Sequence, residues 1–323
     1  MRSAKVHHLG CSRPLQRAVT DFAADVPFAQ AMDKLVEHYG VLLSESTIRR
    51  ITQDHARAMH EATTLQGAWP EQVGCEVVVA EMDGGMVPIM EPDPTQADQR
   101  QGKRLFWKEA RICLAHAQGS TSPVYGGTLQ GDVRQAGQHL FDCATRAGFG
   151  CETHLHAVGD GAEWIAAQVE EQFGENGRYL VDFYHVCDHL AAAAHALHQD
   201  ERAVAEWIST QKEHLKNGRA DMLLQALSDH LEPVDAADAP VRRCHRYLSH
   251  RRHQLHYRES IARKLPIGSG EIESAHRYVV QQRLKRPGAW WRAANAEYML
   301  ALRLNRANRQ WATYWSSPTT LAA

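Results

Sequence analysis

Two aspartates carry the clearest chemical signal: Asp83 and Asp160 each close a compact strand-like run and each sit against glycine, in Asp83-Gly84-Gly85 and Gly159-Asp160-Gly161. A carboxylate beside residues that lack side chains leaves room for a large ligand. Hard carboxylate oxygens suit magnesium, which keeps several waters and binds through few protein ligands plus substrate phosphate. Phosphodiester cleavage and strand transfer use two such ions about 4 Å apart, so a third acid has to arrive from elsewhere. Glu271 and Glu273 are available, at the start of a helix introduced by Gly268-Ser269-Gly270. Residues two apart lie about 200° apart around a helix axis, so only one of them can face the strand ends, and spacing leaves the choice open. Taken singly, either aspartate is equally well a turn or capping residue; the combination is what points to a metal site.

The elements that must present these acids follow from local pattern. The β-branched run 75–83 reads as a strand ending at Asp83, with Gly84-Gly85 as a turn into a second strand, 86–90, so that the two form a hairpin. Residues 91–103 read as a polar loop, 104–118 as a strand, and a short strand follows near Val124. Residues 133–147 form a helix with Ala136, Leu140, Cys143 and Ala144 on one side. A strand over 152–160, a helix over 162–173 and a strand over 178–182 complete an α/β unit. Upstream, 14–23 is an amphipathic helix, Asp25 caps a second helix stopped by Gly40, and Ser44 caps a third with Ile48, Ile51 and His55 at helical spacing. Helices joined this tightly suggest a helix-turn-helix that turns Ser46, Thr47, Arg49 and Arg50 to a DNA groove; a plain three-helix module with solvated arginines explains the same pattern. From 186 to about 264 the chain is helical and alanine-rich, an all-helical insertion. Helices follow from Glu271 onward and over 293–311.

Composition sets the bounds. The chain has 323 residues, 44% of them hydrophobic, enough for a globular fold, and no apolar run approaches the length of a membrane span. Residues 1–10 are basic but lead into Cys11-Ser12-Arg13-Pro14 rather than an apolar stretch, so no export signal is expected. Seven scattered cysteines without a Cys-x-x-Cys pair fit a reducing cytoplasm. The net charge of −2 hides an asymmetry: residues 241–309 hold 16 Lys/Arg against 4 Asp/Glu. Such a block attracts a polyanion by counterion release, although a solvated helical face is the plainer explanation.

Five segments carry a family resemblance. Glu81-Met-Asp-Gly-Gly, Val158-Gly-Asp-Gly-Ala-Glu-Trp-Ile165, Leu180-Val-Asp-Phe-Tyr-His-Val-Cys-Asp-His-Leu190, Pro266-Ile-Gly-Ser-Gly-Glu-Ile-Glu-Ser-Ala-His276 and Arg283-Leu-Lys-Arg-Pro-Gly-Ala-Trp-Trp291 resemble, in order, the motifs of bacterial insertion-sequence transposases of the ISKra group, themselves similar to Mutator-type DDE enzymes. The resemblance runs from about Pro14 to Trp315. It implies an α/β RNase H-like catalytic core interrupted by an all-helical insertion and preceded by an N-terminal helix-turn-helix-like domain. The corresponding division is 1–68, 69–185, 186–265 and a basic 266–323 that completes the core. It implies Asp83, Asp160 and Glu273 as the catalytic, metal-binding triad for two magnesium or manganese ions, Glu273 because the family's glutamate stands three residues after Gly-Ser-Gly. The implied partners are transposon terminal inverted repeats and target DNA, handled by a homodimer or larger synaptic assembly, with no membrane involved.

Further residues come with two explanations each. Asp182-x-x-His185 resembles an Asp/Cys-x-x-His motif of the Mutator relatives; His185 either holds a phosphate or pins a strand-helix junction. Trp207 is a DNA contact of the insertion or a core residue. Arg277, Arg283, Lys285, Arg286 and Arg292 are suited to phosphates, and Trp290 and Trp291 to stacking on unpaired bases, with at least one of the tryptophans packing on the core instead. Two rival functions remain. His154-Leu155-His156 with Asp160 and His185 would make a zinc hydrolase, and a transposase-derived DNA-binding protein without catalysis would keep the basic surface alone.

Overall fold

The computed structural model describes residues 10–93, 95 and 102–317. The expected export-free N-terminus and much of the expected loop 91–103 lie outside the described residues. Three helices come first: α1 (Arg13–Asp25), α2 (Phe28–Tyr39) and α3 (Glu45–Glu61). Val19 and Ala23 of α1, Leu35 of α2, and Ile48 and Ile51 of α3 form their shared core. Ser44 caps α3, its hydroxyl accepting from the Thr47 amide at 3.2 Å, which satisfies one of the amides a helix start leaves open. Asp25 does not cap α2, against expectation. Pro27 stands at that position, and the Asp25 carboxylate is drawn instead to Arg303 and Arg306, because the nearly buried Arg303 guanidinium needs a counter-charge.

One sheet follows, made of β1 (Val77–Pro92), β2 (Lys103–Ala117), β3 (Val124–Thr128), β4 (His154–Gly159) and β5 (Gly177–Val181), in the order β3-β2-β1-β4-β5. β2 runs antiparallel to β1 and β3, whereas β4 is parallel to β1 and β5. α4 (Val133–Arg146) connects β3 to β4, and α5 (Glu163–Phe173) connects β4 to β5. Gly84-Gly85 makes no turn. β1 passes straight through it and pairs with β2 from Val78 to Pro92, so Asp83 lies opposite Ile112 in mid-strand. The glycines serve close packing: a Cβ on Gly84 would meet the Glu109 carboxylate at 2.2 Å, and one on Gly85 would meet the His276 ring at 2.6 Å. What stops near Asp83 is the pairing with β4, whose last pair is Glu81↔Val158.

Alternation along the strands gives the sheet two apolar faces. Val78, Ala80 and Met82 of β1 join Leu155 and Ala157 of β4 against Leu140 of α4 and Ile165 of α5. Val87 and Ile89, with Ala110, Ile112 and Leu114 of β2, face the other way, against the C-terminal helices. Between β5 and those helices come α6 (Phe183–Leu197), α7 (Glu201–Lys216), α8 (Ala220–Ser228), α9 (Pro240–His250) and α10 (Tyr257–Ala262), which extend the first core through Leu190, Leu215, Leu223 and Leu248. Trp207 packs half-buried against that core. The chain ends in α11 (Gly270–Ala275), a π-helical stretch over His276–Gln281, α12 (Gln282–Leu284), α13 (Ala293–Ala307) and α14 (Trp311–Ser316). The expected single helix over 293–311 breaks where Arg309 takes a φ of 57°. Among the described residues no helix is long and apolar enough to cross a membrane.

α13 is tied to the sheet by one buried carboxylate. Glu297 accepts from the Thr128 hydroxyl at 2.9 Å and from the Leu129 and Gln130 amides at 2.6 and 2.7 Å. Hydrogen bonds to a charged group contribute about 1.5–3 kcal/mol, and orphaned buried donors cost more. Glu297→Ala is therefore expected to destabilise the fold by about 3 kcal/mol or more, with Glu297→Gln between it and the parent, as read from urea-unfolding midpoints.

Candidate active site

The parallel register of β1 and β4 brings the two aspartates together. It pairs Val79 with His156 and Glu81 with Val158, and continued past the last pair it sets Asp160 level with Asp83. The β4–β5 register, ending at Gly159↔Val181, sets Asp182 level with Asp160 in turn. Side chains two apart on a strand share a face, so Asp83, Asp160 and Asp182 line up beyond Glu81 and its neighbours. Asp160 and Asp182 follow the carboxyl ends of β4 and β5, where open α/β sheets bind ligands, and Asp83 lies level with them inside β1, just past the point where its pairing with β4 stops. Asp83 feels this crowding. Burial first, and then the negative charges of Asp160 and Glu109, raise its pKa, against the opposing pull of His276 and the Gly84 amide.

These acids differ in how far their oxygens are committed. Asp182 is buried and saturated: Oδ1 accepts from the Tyr184 and His185 amides at 2.6 and 3.1 Å, starting α6, and Oδ2 accepts from the Ser269 amide and hydroxyl at 2.6 and 2.5 Å. It joins the end of β5 to Gly268-Ser269-Gly270. Glu81 is 2% exposed and accepts from the Ile272 amide at 2.7 Å, clasping α11 to β1. Asp83 and Asp160 are the open ones. Asp83 is half-buried, with Oδ1 on the Gly84 amide at 2.7 Å and Oδ2 3.4 Å from Nε2 of His276. Asp160 is exposed, with Oδ1 on the Ala162 amide at 2.8 Å.

Glu273 lies exposed on α11. Three residues on, the buried His276 ring meets Asp83; helical residues at that spacing have Cβ atoms about 5–6 Å apart, so Glu273 sits one turn from the Asp83 contact. Glu271 points elsewhere, 3.4 Å from His116 of β2. Among the described residues no three His, Cys, Asp or Glu side chains converge into a set that could hold an ion. The strand register sets Asp83 and Asp160 level with each other, and Glu273 makes no such set of three with them. The two carboxylates nonetheless suit a hard divalent cation: each has one oxygen on a neighbouring amide and neither is saturated with donors.

Other candidate residues are distributed more widely. His185 lies in a ring cluster, 5.2 Å from His189 and 6.0 Å from Tyr247 by centroids. His154 and His156 do not form one site with Asp160 and His185. His156 gives its Nε2 to the Pro266 carbonyl at 2.8 Å, and Asp160 is four residues further along the strand, about 13 Å away. Ser46, Arg49 and Arg50 are exposed and Thr47 half-buried on α3; Arg277, Lys285, Arg292 and Trp290 are exposed and Arg286 half-buried. Exposed Trp107 of β2 stands 6.3 Å from Trp290. Arg283 and Trp291 depart from the expected DNA contacts, for both are buried. Arg283 donates to the Ala23 carbonyl at 2.9 Å, and its guanidinium lies 4.9 and 4.7 Å from the rings of Phe28 and Trp291. A planar, weakly hydrated guanidinium tolerates such a sandwich between rings. Trp291 itself bridges to Ile89 on the open edge of β1.

Two participants escaped sequence reasoning. Glu81 carried one usable signal, a lone acid inside a β-branched run; His276 carried none beyond its place three residues after Glu273. No protein-family model and no curated protein matches the chain. Among solved structures it is similar to the Drosophila P element transposase strand transfer complex, at 10% identity and a TM-score of 0.29, over 95% of this chain and 81% of that one. A likeness of that size carries no argument about this chain.

Burial pushes the Glu81 carboxyl up to about 8, from an ordinary value of 4.5. The folded chain thus keeps a proton that the unfolded chain releases, and folding takes up a proton between those two values. Stability is expected to fall as pH rises from about 4.5 to about 8 on this account. Glu81→Gln should flatten that part of the profile, as measured by thermal melting across the range.

Proposed function

We propose that this chain is a DNA transposase of the DDE class with an RNase H-like core, acting where β1 passes the carboxyl end of β4. The observation that carries the reading is the parallel register of β1 and β4, which continued two residues past its last pair sets Asp160 level with Asp83, with the Glu273 helix clasped nearby by Glu81 and Asp182. The ordered motifs resembling ISKra-group transposases support it. Asp83, Asp160 and Glu273 would hold a pair of magnesium or manganese ions, which supply activation of the attacking oxygen and neutralise charge at the scissile phosphate.

The chain's own residues do the rest. Asp182 holds the start of α6, and with it His185, against the Gly-Ser-Gly segment. Exposed Arg277, Lys285 and Arg292 bind phosphates, and Trp290 with Trp107 offers ring faces to unpaired bases. Arg49 and Arg50, with Ser46 and Thr47, meet flanking duplex as the second helix of a helix-turn-helix. Water attacks the phosphate at the element's end, and the freed 3′-hydroxyl then attacks target DNA. Two ends must be handled together, which asks for a homodimer or larger synaptic assembly.

A second reading, a protein that binds DNA without cutting it, has one observation in its favour: among the described residues the three acids do not converge into a set that could hold an ion. One experiment separates them. A labelled duplex carrying the terminal repeats that flank the gene is incubated with the chain and magnesium. Nicking by the parent, reduced to background by Asp83→Asn, Asp160→Asn or Glu273→Gln with gel-shift affinity kept, is the expected outcome. Retention without nicking favours the binder, and strand transfer at the parental level by Asp83→Asn refutes the assignment of the acids.

A further inference from the structure

The turn that presents Asp160 is gripped by side chains from far along the chain. Tyr247, on α9, donates its hydroxyl to the Asp160 carbonyl at 2.7 Å, and Arg251, just beyond α9, donates Nε to the Gly161 carbonyl at 2.7 Å. The two act as one unit: the Arg251 guanidinium lies 4.2 Å from the Tyr247 ring and donates to the Tyr247 carbonyl at 3.2 Å. On its other side the Tyr247 ring stacks on His189 of α6, with centroids 4.0 Å apart and planes at 24°. The Gly161 amide meanwhile donates to the Tyr179 hydroxyl of β5 at 2.9 Å. Gly161 has a φ of 90°, and a Cβ there would lie 2.3 Å from the Tyr247 hydroxyl oxygen, so only glycine admits the grip.

Water would satisfy these carbonyls without help from the protein. Ordering a tyrosine and an arginine from a separate group of helices costs rotamer freedom, so the return lies in the geometry imposed on the turn. The peptide groups on either side of Gly161 are held by Tyr247 and Arg251 and by Tyr179 of β5, and the Asp160 carboxylate, anchored by one oxygen to the Ala162 amide, inherits that orientation. We propose that Tyr247 and Arg251 are positioning residues through which the helices after β5 aim the Asp160 carboxylate for divalent-cation binding. This rests on the reading of Asp160 as a cation ligand. It gives the helical segment between β5 and α11 a task at the site itself, apart from any contact with DNA.

The test uses the full chain with Tyr247→Phe, which removes only the hydroxyl, Arg251→Lys as the second variant, and Arg252→Ala as a control, since Arg252 pairs with Asp221 on the surface. Hydrogen exchange without metal, and Mn2+ binding counted from the resonance of free Mn2+, are both measured. In the two variants exchange at the 161–162 amides is expected to quicken about 2- to 10-fold, the scale of one lost hydrogen bond, and Mn2+ to bind about 2- to 10-fold more weakly. β4 and the control should match the parent. Unchanged exchange at the turn, exchange that quickens alike through β4 and α9, or parental Mn2+ affinity in Tyr247→Phe overturns the proposal. If the parent and Asp160→Asn bind Mn2+ equally poorly, the cation reading of Asp160 falls; the exchange data then decide by themselves whether Tyr247 and Arg251 hold the turn.

Discussion

Carboxylates gathered at the end of a sheet repel one another and lose water, and each has to find donors or remain open to a ligand. That constraint organises this molecule. Glu81 and Asp182 find theirs in the segment around Gly268-Ser269-Gly270, at positions 191 and 87 residues away, and in doing so they fasten α11 to the sheet. Without those acceptors the Ser269 and Ile272 amides would be orphaned at the start of a short helix, with little else to hold it. The helix that carries Glu273 therefore owes its place to acids whose own part is structural.

Saturation separates the acids by role. Asp182 receives four hydrogen bonds and Glu297, by the β3 edge of the sheet, three; fully satisfied carboxylates rigidify a core and have little left to offer a ligand. Asp83 and Asp160 each anchor one oxygen on a nearby amide, and the second Asp83 oxygen faces only the His276 ring, at 3.4 Å. The edge of β1 is open there because β4 stops pairing at Glu81 and the Trp291 bridge begins only at Ile89. Gly84, Gly85 and the His276 ring occupy the interval. The π-helical stretch beginning at His276 lies next to the proposed site, as such distortions frequently do.

The basic C-terminal segment divides in a similar way. Its charge excess is a property of composition, but its guanidinium groups serve different ends. Arg283 and Arg303 are buried cross-links to the backbone of α1, Arg306 pairs with Asp21 and Asp25, and Arg251 grips the Asp160 turn. Arg277, Lys285 and Arg292 stay on the surface. A count of cations thus overstates the polyanion-facing surface, since arginine is also the residue whose flat, weakly hydrated guanidinium can be buried among rings and carbonyls.

Local physics was legible in the chain itself. β-branched runs marked the strands around 77–82 and 154–159, Ser44 and Gly40 marked helix ends, and aspartates beside glycines marked the candidate acids, because each of these signals depends on a residue and its near neighbours. Tertiary structure decided the rest. That Gly84-Gly85 continues a strand instead of turning it depends on Glu109 and His276 packing over it; that Asp25 answers Arg303, that Arg283 is a core residue, and that Tyr247 reaches Asp160 depend on partners 278, 260 and 87 residues distant. Strand register and long-range hydrogen bonds leave no periodicity along a sequence, so they are settled only when the chain folds back on itself.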